Sequence, residues 1–260
     1  MNFSIEITPR GNPSELPRNI RAVSITFLPD ADYRDVVAQA IQLRQKGFEP
    51  IPHIPARSIR SHLQLHEFIS QLKDEAQVQQ VLVIGGSPPE LVGPYASTMD
   101  LLETGLFDGL RIGVAGHPEG MSQLSEEACD RSLTLKNLYA RDTCTDMFVM
   151  TQWSLDVNTI SHWLDRIESF NLLPIYLGIP GPATPASLLK FARICGVKTS
   201  LLGLRQQSSR LGQLLARPTP DYLIDALSDR IENFHIYTFG GIKQTRDWLH
   251  QRQSTTLTPV

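Results

Sequence analysis

The chain has 260 residues, enough for one large barrel or two small domains, and its 41% hydrophobic and 20% charged residues are the balance of a globular protein with a sizeable core. With 24 basic against 27 acidic side chains the formal charge is −3, which leaves no concentrated basic surface for nucleic-acid phosphates. Cys129, Cys144 and Cys195 have neither the number nor the spacing of a disulfide framework or a metal site, so reduced thiols in a cytoplasmic protein without a metal centre are expected.

The opening Met1-Asn2-Phe3-Ser4 lacks the basic and continuous apolar stretches of a signal peptide. A first strand is predicted over 3–8. The connection 10–19 holds two prolines and a glycine, poor helix material, so the first helix is expected to be truncated or missing. A strand over 21–28 precedes a helix over 33–46, where Val36, Val37, Ala40, Ile41 and Leu43 share one face. Strands at 48–54 and 80–85 flank a helix at 58–73. A strand at 110–115, a helix at 122–141, a strand at 146–151 and a helix at 158–170 follow. Beyond the strand at 173–179 come helices at 186–195 and 223–231, a strand at 234–239 and a last helix at 242–251. The stretch 200–220 is longer than one crossover needs and predicts an extra short helix.

Eight strands alternating with helices, several of them apolar at consecutive positions, imply a parallel sheet buried on both faces. Eight units suit a closed (β/α)8 barrel better than an open sheet, and no G-x-G-x-x-G follows the first strand. No linker or composition shift divides the chain, so a single domain over 1–260 is expected. No apolar run approaches the ~20 residues of a membrane span.

In such a barrel the active site gathers at the C-terminal strand ends. Glu6 lies between Ile5 and Ile7; if those two pack outward, Glu6 enters the mouth, where a partly desolvated carboxylate suits general-acid work. Pairing of Glu6 with a nearby arginine is an equal alternative on the pattern alone. Thr26, His53, Gly86, Ser87, His117, Glu119 and Gln152 occupy other predicted strand ends. The Gln152 amide both donates and accepts, matching a heterocycle with paired donor and acceptor edges; a hydrogen-bonded core glutamine is the competing reading. Gly85-Gly86 permits close backbone approach to a ring and is also ordinary turn chemistry.

Taken in order, these segments resemble the methylenetetrahydrofolate reductase family over nearly the whole chain. Phe3-Ser4-Ile5-Glu6-Ile7-Thr8-Pro9 is similar to the family's first strand, with Glu6 on its catalytic glutamate. Val23-Ser24-Ile25-Thr26 and Ile51-Pro52-His53-Ile54 resemble the second and third strands. Gly113-Val114-Ala115-Gly116-His117-Pro118-Glu119-Gly120 is close to Gly-Val-Ala-Gly-Tyr-Pro-Glu-Gly and is the most specific motif. Thr151-Gln152-Trp153-Ser154-Leu155-Asp156 and Phe234-His235-Ile236-Tyr237-Thr238 resemble the sixth and last strands.

The resemblance implies reduction of 5,10-methylenetetrahydrofolate to 5-methyltetrahydrofolate, with Glu6 as the acid. It implies that Gln152, with Ser87 and Thr26, contacts the folate, and that His53, Gly86, His117 and Glu119 lie towards the cofactor. NADH or NADPH is the implied hydride source, and FAD the family's usual carrier. The departures fall on the flavin side. Gly85-Gly86-Ser87 stands where the family has Arg-Gly-Asp, His117 replaces a tyrosine, and Met121 replaces a histidine. Either FAD is held differently here or hydride passes directly from a nicotinamide to the folate, and the second is expected. Another tetrahydrofolate-dependent one-carbon reaction, methyl transfer or demethylation, remains an alternative, as does a non-catalytic folate-binding protein. Association into a homo-oligomer is left open.

Overall fold

The computed structural model describes residues 1–28, 31–86, 90–121, 124–195 and 219–256. Eight parallel strands close a barrel in sequential order: β1 (Asn2–Ile7), β2 (Ala22–Ile25), β3 (Glu49–Pro55), β4 (Gln80–Ile84), β5 (Arg111–Gly116), β6 (Met147–Thr151), β7 (Ile175–Pro180) and β8 (Asn233–Tyr237). The ring is completed by pairing of β8 with β1, where Ser4 faces His235 and Glu6 faces Tyr237 in register. All eight predicted strands are present, and the protein has the (β/α)8, or TIM-barrel, fold.

The helices are α1 (Tyr33–Gln45), α2 (His62–Asp74), α3 (Thr98–Leu102), α4 (Glu126–Thr143), α5 (Val157–Ile167), α6 (Pro185–Cys195), α7 (Asp221–Leu227) and α8 (Ile242–Thr256). Between β1 and β2 only a single 3-10 turn forms, Pro13–Glu15, as its prolines and glycine lead one to expect. Capping residues move two helix starts inward from their predicted positions. Ser61 accepts from the Gln64 amide at the head of α2, and Ser125 from the Ala128 amide at the head of α4, each satisfying an orphan donor of the first turn. The short α3 was not expected, although Ser97 and Asp100 form a reciprocal capping box there. The extra helix expected within 200–220 falls almost wholly outside the described residues.

Alternation along the strands divides the apolar side chains between two compartments. Ile5, Ile7, Val23, Ile25, Val81, Val83, Ile112 and Val114 belong to the layer between barrel and helices. Inside the barrel, Ile51, Leu82, Phe148 and Met150 form a separate cluster with Ala22, Ile84 and Tyr176 at its margin. Arg111 covers the N-terminal end: its guanidinium lies 4.7 Å from the Phe148 ring centroid, donates to the Tyr176 hydroxyl at 3.3 Å and pairs with Asp146 at 3.2 Å.

Gly113 makes room for this filling. A Cβ at that position would lie 2.6 Å from Phe148 and 2.9 Å from Leu82, closer than any relaxed contact. Gly113→Ala is expected to destabilise the fold by about 1–3 kcal/mol through overpacking, read as a lower urea midpoint with an unchanged denaturant slope.

Candidate active site

The first strand builds the centre of the site. Ile5 and Ile7 are 0% and 2% exposed in the outer layer, so the intervening Glu6 is turned into the barrel. Its side chain retains 16% exposure at the mouth. Two imidazoles face the same carboxylate oxygen: His53 Nε2 lies 3.4 Å from Glu6 Oε2 and His235 Nε2 lies 3.7 Å from it. Neither nitrogen makes an aligned hydrogen bond among the described residues. The arginine partner allowed by the sequence pattern is absent among the described residues, and histidines take its place.

His235 is 0% exposed, and its other nitrogen, Nδ1, is 2.8 Å from the Ser4 hydroxyl. With the proton on Nε2, towards the Glu6 carboxyl oxygen, Nδ1 accepts from Ser4. Ser4, His235 and Glu6 thus form a line from the barrel interior to its mouth. His53 was expected at a strand end but lies within β3, which runs to Pro55. Burial holds its imidazole below the ordinary 6.5, against the pull of the Glu6 carboxylate, with His235 adding a further push downward. His53 is therefore neutral at pH 7.

Five of the other expected site residues lie at or just beyond neighbouring strand ends. Thr26 follows β2, its amide donating to the Ile7 carbonyl at 3.0 Å. Gly86 follows β4 with φ +90°, a left-handed conformation that glycine adopts without strain. Gln152 follows β6, its backbone tied to the Gly116 carbonyl at 2.8 Å and its side chain half-buried. Glu119 is 9% exposed and accepts the Ser154 hydroxyl at 2.7 Å, binding the β5 loop to the β6 loop. His117 is pushed down to about 4 by burial and by the charge of Lys136. Ser87 lies outside the described residues.

Three residues that sequence reasoning passed over belong to this region. Ser4 and His235 carried the same signal as Glu6, a polar residue between apolar neighbours on a strand, and were read only as parts of longer motifs. Lys136 is the third. It sits in α4 at 4% exposure, with no ion pair among the described residues, and burial lowers its amine from 10.5 to about 8. Its position in the helical pattern gave no such signal, because lysines on an amphipathic helix usually lie on the solvent face.

A cavity of about 760 Å³ opens at the opposite end of the barrel, lined by Arg111, Tyr139, Cys144 and Asp146 among others. The N-terminal face of such barrels serves stability rather than catalysis, so the mouth around Glu6 is the candidate site.

No family-wide sequence profile matches the chain. Among solved structures it is similar to oxaloacetate acetylhydrolase in complex with the product oxalate, with a TM-score of 0.56 and 8% identity over 98% of this chain and 81% of that one. It is also similar to dihydropteroate synthase from Xanthomonas albilineans in complex with 7,8-dihydropteroate, with a TM-score of 0.51 and 9% identity over 99% and 94% of the two chains. At these identities the likeness shows the barrel and nothing of its chemistry. No helix among the described residues is long and apolar enough to cross a membrane.

Lys136 yields a test of the electrostatics. Between pH 8 and 10.5 the unfolded chain holds a proton that the folded amine has released, so this group makes stability rise with pH across that window. Its lowering from 10.5 to about 8 corresponds to roughly 3 kcal/mol at about 1.4 kcal/mol per tenfold. Lys136→Met is expected to stabilise the protein by about 1–3 kcal/mol at pH 7. Thermal melts should show that advantage shrinking as pH approaches 10.

Proposed function

We propose that this barrel reduces 5,10-methylenetetrahydrofolate to 5-methyltetrahydrofolate with a hydride from NADH or NADPH. The observation that carries the reading is the Glu6 carboxylate at the barrel mouth, faced by His53 and His235. The six-motif resemblance supplies the substrate. The barrel of dihydropteroate synthase, solved with 7,8-dihydropteroate, is compatible with a pteridine ligand in this architecture.

The reaction needs one proton and one hydride. Protonation of N10 by Glu6 breaks the bond between N10 and the bridging carbon, leaving a cationic iminium at N5. Hydride addition to that carbon completes the methyl group. A nicotinamide, when bound, supplies the hydride. General-acid assistance of this kind is worth about 10²–10⁴ in rate. After transfer the new carboxylate is stabilised by the His235 Nε2–H, whose orientation Ser4 fixes. Gln152 pairs with the donor and acceptor edge of the pterin, and Thr26 lines the same rim.

The residues that the resemblance assigns to a flavin do not fit one. His53 is directed at Glu6 instead of into open space. Glu119 is occupied by Ser154, and its negative charge opposes a phosphate. His117 is uncharged at neutral pH, and Gly86 offers no side chain. No step is therefore routed through FAD.

Glu6→Gln is expected to lower kcat by about 10²–10⁴ while leaving tetrahydrofolate affinity within about threefold, because the amide keeps the shape and lacks the proton. A variant as active as the parent removes Glu6 from the chemistry. Protein purified without added flavin should show no flavin absorbance, and added FAD should not stimulate NAD(P)H-dependent reduction. Stoichiometric bound FAD would reinstate a two-step relay.

A further inference from the structure

The outward face of α4 carries an apolar stripe that stays in contact with solvent. Leu135 is 51% exposed and Leu138 38%, about one turn apart on the side opposite the buried Leu133 and Ala140. Leu172, 87% exposed, joins them from the loop after α5. Asn137 fastens that loop to the helix. Its side-chain oxygen accepts the Leu172 amide at 2.8 Å, and its amide nitrogen donates to Asn171 Oδ1 at 3.1 Å. Single exposed leucines are ordinary, but three gathered on one fastened surface leave apolar area in water that association removes.

The charges on the same stripe say what covers it. Arg131 stands four positions before Leu135, and Asp142 four positions after Leu138. At about 3.6 residues per turn all four side chains share one face. Both charged residues are exposed. Arg131 makes no ion pair among the described residues, and Asp142 pairs with its neighbour Arg141 at 2.8 Å, an exposed contact of little worth. The stripe therefore runs Arg, Leu, Leu, Asp and is its own complement when reversed. A second α4 laid antiparallel, about a two-fold axis midway between Leu135 and Leu138, sets each Leu135 against Leu138 of the other copy. The same rotation sets each Arg131 against Asp142 of the other copy, so one contact closes two ion pairs. Parallel helices in register would instead set arginine on arginine and aspartate on aspartate.

We propose that two copies of this chain associate through α4 in that antiparallel, two-fold arrangement, with Leu135, Leu138 and Leu172 as its apolar centre. Barrel helices run back against their strands, so antiparallel α4 helices turn the two mouths to opposite sides. Each Glu6 then works without help from the other copy, and the inference does not depend on the reaction assigned to the mouth.

The test is sedimentation velocity of the full chain over a dilution series. The parent is expected to sediment at twice 29.1 kDa and to dissociate on dilution, and Leu138→Asp to sediment as a monomer. Arg131→Glu and Asp142→Arg each place like charges face to face at both ends of the contact. Each is expected to raise the dissociation constant about tenfold. The double variant restores opposite charges and is expected to return to within about threefold of the parent, a recovery that a general surface effect of either substitution does not produce. Circular dichroism checks each fold, and the two charge variants decide the matter should Leu138→Asp fail to fold. A chain that stays monomeric at every concentration leaves the stripe to another partner and overturns the proposal. A dimer that survives Leu138→Asp, or one that the double charge reversal fails to restore, overturns it as well.

Discussion

A carboxylate enclosed by eight strands must be compensated from inside the barrel, because the outer helices cannot reach it and water meets it only at the mouth. The residues near Glu6 follow from that demand. His53 and His235 face one oxygen, and Ser4 fixes the second imidazole from below. A polar group withdrawn from water needs polar neighbours, and these side chains supply them. Beneath them the filling turns apolar, with Ile51, Leu82, Phe148 and Met150. The interior is thus polar near the mouth and apolar near the floor, and that division sets where chemistry can occur.

The same division explains how much could be read from the sequence. Period-two alternation on β1 forces Glu6 inward as soon as Ile5 and Ile7 face the helices, and the pattern of apolar runs located all eight strands. Helix starts were less legible, because Ser61 and Ser125 cap from within stretches whose apolar periodicity had already begun. The partners of Glu6 were harder still. His53 and His235 come from β3 and β8, far apart in sequence, and no spacing along the chain records that barrel closure brings them to one oxygen. Lys136 was hidden for the opposite reason. Its helix is amphipathic in the usual way, and only the packing of α4 turns this lysine inward.

The resemblance and the geometry bear on different parts of the reading. The resemblance names a substrate and an acid. The geometry places the Glu6 carboxyl group at the mouth beside two imidazoles, and it turns His53 and Glu119 towards protein partners. Glu119 in particular joins the loops after β5 and β6 through Ser154, next to Gln152. Rigidity at that junction aids any ligand held by the Gln152 amide, since a displacement of an ångström can cost much of the benefit of orientation.

Arg111, clamped over Phe148 and against Tyr176 and Asp146, has a consequence at the far end of the molecule. With that stopper in place and the apolar cluster above it, the barrel is a blind well instead of a passage. Anything that reaches Glu6 enters by the rim and leaves by it. Access to Glu6 is therefore set by the closed floor as much as by the open rim.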